Sequence, residues 1–178
     1  MSARRVAAAA LALAALSSAP AHALDGMSLE LGTGDNVNMG RVAVQWELAK
    51  PLLQFRNWQL GNHFDLAVGY WKAKDATTTQ HDELFELAFT PVLRIQGNGR
   101  VGPYVELGLG MHLLTESSIA DTRMSTAFQF GNHIGLGYRF GQKGAFDVAY
   151  RFQHLSNASI KRPNAGINFQ QVRLGYWY

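Results

Sequence analysis

The 178-residue chain contains no cysteine. Disulfide scaffolds, thiolate zinc sites and cysteine nucleophiles are excluded together, so an exported protein of this composition draws its stability from elsewhere. Beyond residue 23 there is no apolar run of about 18 residues or more, which excludes helical membrane spans. Membrane strands stay open, because a barrel strand needs only about 9–11 residues with every second one apolar. Runs of basic residues interleaved with aromatics are also missing, so nucleic acid is not an expected partner. The formal net charge is only +3, and setting aside Arg4 and Arg5 leaves 14 basic against 13 acidic residues.

Those two arginines head a targeting segment. They precede an apolar core from Val6 to Leu16, and Ala21-His22-Ala23 then makes an A-x-A cleavage site. The core is too short for a retained anchor helix. Residues 1–23 are therefore read as a secretory signal peptide and 24–178 as one mature domain.

From Ser28 onward the dominant signal is alternation with a period of two. In Val101–Leu113 one face holds Val101, Pro103, Val105, Leu107, Leu109, Met111 and Leu113. The other holds Gly102, Tyr104, Glu106, Gly108, Gly110 and His112. Phe64–Tyr70, Phe128–Phe140, Val42–Leu48, Phe85–Ile95, Phe146–Phe152 and Val172–Tyr178 repeat the pattern, and a Leu29/Leu31 pair opens the series. Eight strands are predicted, several long enough to cross a hydrocarbon layer.

The second face separates a soluble from a membrane barrel. It carries Glu30, Arg41, Glu47, Asp65, Glu86, Arg94, Glu106, Arg139, Asp147, Arg151 and Arg173, mixed with glycines. An eight-stranded barrel has an interior just wide enough for side chains to fill. Opposite charges and glycines fill it as a paired polar network, while the bulky face meets lipid. Unpaired charges there would be costly, so mutual pairing is expected. The soluble alternative is a lipocalin-like barrel with its apolar face inside. All-β structure is thus predicted: an eight-stranded antiparallel transmembrane β-barrel of the outer membrane.

Connections support this reading. Gln96–Arg100 and Gly141–Gly144 are tight and Gly-rich, whereas Thr115–Met124 and Ala158–Ala165 are longer. Short periplasmic turns opposite long external loops is the asymmetry such barrels show. Ala49–Asn62 is the exception, a long connection on the periplasmic side, with Phe55 and Trp58 suited to the membrane interface.

With both termini periplasmic, the seventh strand ends and the eighth begins at the external rim. Phe146, Val148, Tyr150 and Phe152 point outward, so His154 and Ser156 do too if the strand runs on without a bulge. Asn168 shares the outward parity of Val172, Leu174, Tyr176 and Tyr178. A serine needs a base to remove its proton, and the base needs a third group to fix its tautomer. Ser156 as nucleophile, His154 as base and Asn168 as orienting group meet that need, with Asn157 or main-chain N–H groups of the following turn facing an oxyanion. The bland alternative is a pair of polar rim residues.

The run His154-Leu155-Ser156-Asn157-Ala158, with Ile160-Lys161, Pro163-Asn164 and Gly166-Ile167, resembles the C-terminal motif of the lipid A 3-O-deacylases, the PagL family. The closing alternation Val172, Leu174, Tyr176, Tyr178 is similar to the assembly signal of outer-membrane barrels. The resemblance implies an outer-membrane esterase that removes the acyl chain at position 3 of lipid A. The expected partners are lipopolysaccharide in the outer leaflet and the membrane itself; no cofactor is implied, and a homodimer is left open. It assigns Ser156 as nucleophile, His154 as general base and Asn157 to the oxyanion. Asn168 departs from the family, which has an acidic residue there. An asparagine orients a histidine but supplies no charge, and removing that charge has cost a serine protease about 10⁴ in rate. No Asp or Glu follows Asp147, so a substitute acid has to come from an earlier strand or loop.

Lys161 and Arg162 are candidates for contact with lipid A phosphates, or simply solvated loop residues. His63, His81, His112 and His133 are scattered without metal-ligand spacing. Asp65, Glu86 and Glu106 are read as interior ion-pair partners rather than an acid–base site, and Trp46, Trp71 and Trp177 as belt or packing residues. Two rival functions are kept: a structural or adhesive barrel of the OmpA or OmpW type, and a PagP-like acyltransferase, which needs an acyl pocket inside the barrel.

Overall fold

The structure, a computed structural model, describes residues 24–75 and 81–178, so the signal-peptide segment lies outside the described residues. Eight long strands follow one another: β1 (Gly26–Gly34), β2 (Val37–Glu47), β3 (Trp58–Ala73), β4 (Glu83–Gly97), β5 (Gly102–Leu114), β6 (Phe128–Phe140), β7 (Phe146–Ser156) and β8 (Ile167–Trp177). Each pairs antiparallel with its neighbours in sequence, and β1 pairs with β8 to close the barrel. Closure leaves none of the eight long strands as a sheet edge, which a lipid environment demands because no water is there to satisfy an unpaired strand. Between β4 and β5 the register skips from Phe89–Met111 to Val92–Gly108. Pro91 lies in that gap, and its ring nitrogen has no hydrogen to donate.

Side chains alternate as the sequence requires. In β4, from Glu83 to Gly97, exposed and buried residues alternate without a break. The exposed set around the barrel is bulky: Leu31, Val42, Val68, Leu107, Ile134, Leu136, Tyr150 and Val172 are each about half exposed. A soluble protein rarely shows so wide an apolar surface; here it is the band that meets lipid.

The opposite face forms the expected network. Arg41 bridges Glu30 (2.8 Å) and Glu86 (3.0 Å), and Glu86 also contacts His112 Nδ1 at 2.5 Å. Arg151 joins Glu30 (2.5 Å) to Glu106 (2.6 Å), and Glu106 reaches Arg94 at 2.9 Å. Toward the other end Asp147 pairs with Arg173 and accepts from Trp177 Nε1 at 2.6 Å. Trp71 Nε1 likewise donates to Glu86 at 3.0 Å. Asp65, 3.5 Å from Arg151 Nη1, serves ion pairing like Glu86 and Glu106, and Trp71 and Trp177 are interior packing residues with satisfied N–H groups. Glycine is needed where interior side chains crowd the barrel wall. A Cβ on Gly110 would lie 2.5 Å from Thr90 Oγ1 and 2.7 Å from His112 Nε2.

The two ends of the barrel differ. At the end carrying both termini, short connections follow β4 and β6. The segment read as a long periplasmic connection is partly structured: Leu53–Gln54 pairs with Leu60 and Gln59, and Phe55 stacks on Trp58 at 4.0 Å. At the opposite end the interior turns apolar. Val37, Met39, Trp71, Leu84, Leu155, Ile167 and Phe169 pack with Ile119, Ala120 and Met124 from the loop after β5. Among the described residues, that plug and the charge network fill the interior and leave neither an open pore nor an apolar acyl-chain cavity.

The outward band makes a testable distinction between lipid and water. Leu107, near mid-strand and flanked by Leu93 and Ile134, is 45% exposed. Leu107→Arg is expected to lower unfolding free energy in phospholipid vesicles by about 2–4 kcal/mol. Urea titration of folded protein in vesicles measures this; a change within about 0.5 kcal/mol, as for a water-facing surface residue, would place that face in water.

Candidate active site

The parity of β7 holds to its last residue. Phe152 and His154 are exposed and Ser156 is half-buried, while Gln153, Leu155 and Asn157 are buried. No bulge intervenes, so the His and Ser project from the outer wall at the end carrying the long loops. In the sheet, His154 stands between Asn132 of β6 and Asn168 of β8, and Ser156 stands opposite Phe130 of β6.

His154 Nδ1 lies 2.8 Å from Asn168 Oδ1. An amide oxygen only accepts, so Nδ1 carries the hydrogen and donates it, and the lone pair is left on Nε2. That is the tautomer a general base needs. Among the described residues Nε2 is not hydrogen-bonded to Ser156 Oγ. Residues i and i+2 of a strand are about 6.6 Å apart along its axis, and such pairs commonly close up only around substrate.

Gly166 supports the imidazole from the loop side. Its φ is +67°, and a Cβ there would lie 2.9 Å from His154 Cε1 and 3.3 Å from Nε2. Any side chain would be strained in that conformation and would push the ring out of place. Gly166→Ala is accordingly expected to lower kcat about 10–100-fold while the barrel still folds. Activity assays alongside the heat-induced gel shift of the folded barrel check this; unchanged kcat would show that ring placement is not limiting.

Asn157, expected at the oxyanion, follows the pleat of β7. It has the inward parity of Leu155 and is fully buried. Its Nδ2 donates to Met124 O and Lys161 O, each at 2.8 Å, and its main-chain N–H donates to Asn164 Oδ1 at 3.0 Å. Its side-chain and main-chain N–H donors are all engaged in this structure, tying the last loop to the loop after β5. The next two residues, Ala158 and Ser159, have φ of 51° and 64°. Their main-chain N–H groups are not engaged by any acceptor among the described residues.

Three neighbours escaped the motif. Asn132 and Gln170 are polar residues on otherwise apolar outward faces, and that break in parity was their signal. Asn132 flanks His154, and Gln170 accepts from Tyr150 Oη at 3.0 Å. Asp35 accepts from the Asn168 main-chain N–H at 3.1 Å. The other histidines among the described residues are elsewhere: His63, His112 and His133 are buried in the interior, and His81 pairs with Glu116 at 3.1 Å. Lys161 and Arg162 are exposed in the last loop.

This arrangement was compared with known proteins. The family model described as lipid A 3-O-deacylase (PagL) matches residues 38–177. A lipid A deacylase PagL of Bordetella bronchiseptica is 34% identical, covering 94% of this chain and 92% of its own. Another, from Pseudomonas aeruginosa, is 30% identical over 87% and 88%. Among solved structures, a crystal structure of the outer membrane enzyme PagL superposes with a TM-score of 0.76 at 23% identity, covering 86% of this chain and 99% of that one. Neisserial surface protein A shares the fold more distantly, with a TM-score of 0.50 at 11% identity over 86% of this chain and 94% of that one. The chain is a hydrolase of the bacterial outer membrane and belongs to the lipid A 3-O-deacylase (PagL) family.

Proposed function

We propose that this protein hydrolyses the ester-linked acyl chain at position 3 of lipid A through a covalent intermediate on Ser156, with His154 as general base. The observation that carries the reading is the fixed imidazole: Asn168 holds Nδ1–H and leaves Nε2 free to accept, on the same outward face as a serine. A water-soluble ester would have no reason to react on the lipid side of a barrel. On this reading the site meets outer-leaflet lipid beside the apolar wall of Phe130 and Phe152.

Attack of Ser156 Oγ on the ester carbonyl passes the hydroxyl proton to His154 Nε2. The C–O bond to the sugar then breaks, and the imidazolium returns that proton to the leaving sugar oxygen. Water, deprotonated by the same histidine, attacks the acyl-serine and releases the fatty acid and the free hydroxyl. With Asn157 committed to Met124 and Lys161, the developing oxyanion is assigned to the main-chain N–H groups of Ala158 and Ser159. All of these groups come from one chain, so the chemistry needs no second copy.

A long-chain alkyl fluorophosphonate tests the nucleophile directly. Its phosphorus forms a bond to Ser156 Oγ as fluoride leaves. One adduct on Ser156, lost in His154→Ala, is expected by peptide mass spectrometry. Complete inactivation with the adduct on a different residue would overturn the assignment.

A further inference from the structure

The hydrogen-bonded chain behind His154 does not stop at Asn168. Asp35 sits at the tip of the β1–β2 turn, with Oδ2 3.1 Å from the main-chain nitrogen of Asn168 and 3.5 Å from its side-chain Nδ2. Barrel closure produces this meeting. Gly34 is the register partner of Phe169, so the residue after Gly34 meets the residue before Phe169, although 133 positions separate them in sequence. The turn is held firmly: Asn36 is left-handed at φ 54°, and Lys74 donates from its main-chain nitrogen to Asn36 O at 2.9 Å and from Nζ to Gly34 O at 3.2 Å. Gly34 is required for the approach, since a Cβ there would run into the Asn168 carbonyl.

We infer that Asp35 is the positioning acid of this site, acting on His154 through Asn168; the inference rests on the Ser156–His154 reading above. An amide has one accepting and one donating end, and the two are set by their partners. Asp35 draws Nδ2 toward itself, which turns Oδ1 toward His154 Nδ1–H. A flipped amide would present N–H groups to that N–H and lose the bond. When His154 takes the serine proton, the new positive charge is met across the polarised amide by the Asp35 carboxylate. The Nδ2 contact is long in the resting site, and a charge-assisted bond of this kind shortens as the imidazolium forms. The charge that Asn168 lacks is thus supplied from the first hairpin. Asp35 is solvent-exposed, so screening limits the effect to roughly tenfold rather than the far larger loss seen for a buried triad acid.

The test compares Asp35→Asn in two backgrounds, native and Asn168→Glu, using purified lipid A in detergent and Ser156→Ala as control. In the native background kcat is expected to fall about tenfold with KM unchanged. In the Asn168→Glu background the same substitution is expected to leave kcat unchanged or raise it, because the introduced carboxylate then touches His154 directly and Asp35 is only a like-charged neighbour. Asn168→Asp serves as the background if the longer side chain disturbs folding. A role confined to bracing the turn would lower activity equally in both backgrounds, and that outcome overturns the inference. Full activity of Asp35→Asn, with Ser156→Ala inactive, overturns it while sparing the mechanism. Activity retained in Ser156→Ala overturns both.

Discussion

Ser156→Ala is expected to fold normally and to release fatty acid from lipid A about 10³–10⁵-fold more slowly than the unaltered protein. The magnitude follows from covalent catalysis by residues acting as a unit, where losing the nucleophile or the base alone costs nearly as much as losing both. The range lies below the loss of about 10⁶ known for a protease triad because no carboxylate touches His154 directly. His154→Ala should fall in the same range, and the double variant should be no slower than the worse single one. Stability should hardly change: Ser156 is half-buried, and a small surface truncation stays within about 0.5 kcal/mol. Release rates measured in mixed micelles, with the folded-barrel gel shift as control, check this. Losses that multiply in the double variant would show two independent roles instead of one proton-transfer pair.

The second large effect is on folding. Glu106 is buried at the centre of the barrel, contacting Arg151 Nε at 2.6 Å and Arg94 Nη2 at 2.9 Å. Glu106→Gln keeps the shape but removes the charge, leaving Arg151 with Glu30 and taking from buried Arg94 its nearest carboxylate. Removing one member of a buried pair costs about 3–5 kcal/mol, because the stranded charge has no water to turn to. Urea-induced unfolding in vesicles should therefore shift by that amount, whereas the replaced side chain sits in the interior, out of contact with substrate. A shift under about 1 kcal/mol would mean that water or a neighbour substitutes for the carboxylate, and that the network is not what holds the barrel. Specific activity per folded molecule should survive, which separates this variant from Ser156→Ala.

Much of this architecture is legible in the sequence, for a physical reason. Lipid outside and a narrow charged interior impose opposite demands on alternate residues, so Val101–Leu113 or Phe128–Phe140 declares both strand and facing at once. The same parity places His154 and Ser156 outside, and the structure keeps it to the end of β7. At Asn157 residue type and parity point different ways. One step beyond Ser156 it faces inward, whereas both its amide chemistry and the motif resemblance point it toward the site. Asn132 and Gln170 were visible as polar residues on an apolar face, yet a single break in a pattern carries little weight until its neighbours are known. Asp35 was not legible at all. Its contact with Asn168 exists only because the first strand closes on the last, a register that no local pattern encodes. The short hairpin at Leu53–Gln54 was hidden for a related reason: two-residue strands are too brief for alternation to appear.

The measurement that bears most directly on this account is mass spectrometry of lipid A from a Gram-negative host lacking any such activity, expressing either this chain or its Ser156→Ala variant. The account predicts a lipid A species lighter by one 3-hydroxyacyl chain, lost from position 3, present with the unaltered protein and absent with the variant. Unchanged acylation in cells whose outer membrane holds the correctly folded barrel, or the same loss with Ser156→Ala, would contradict it.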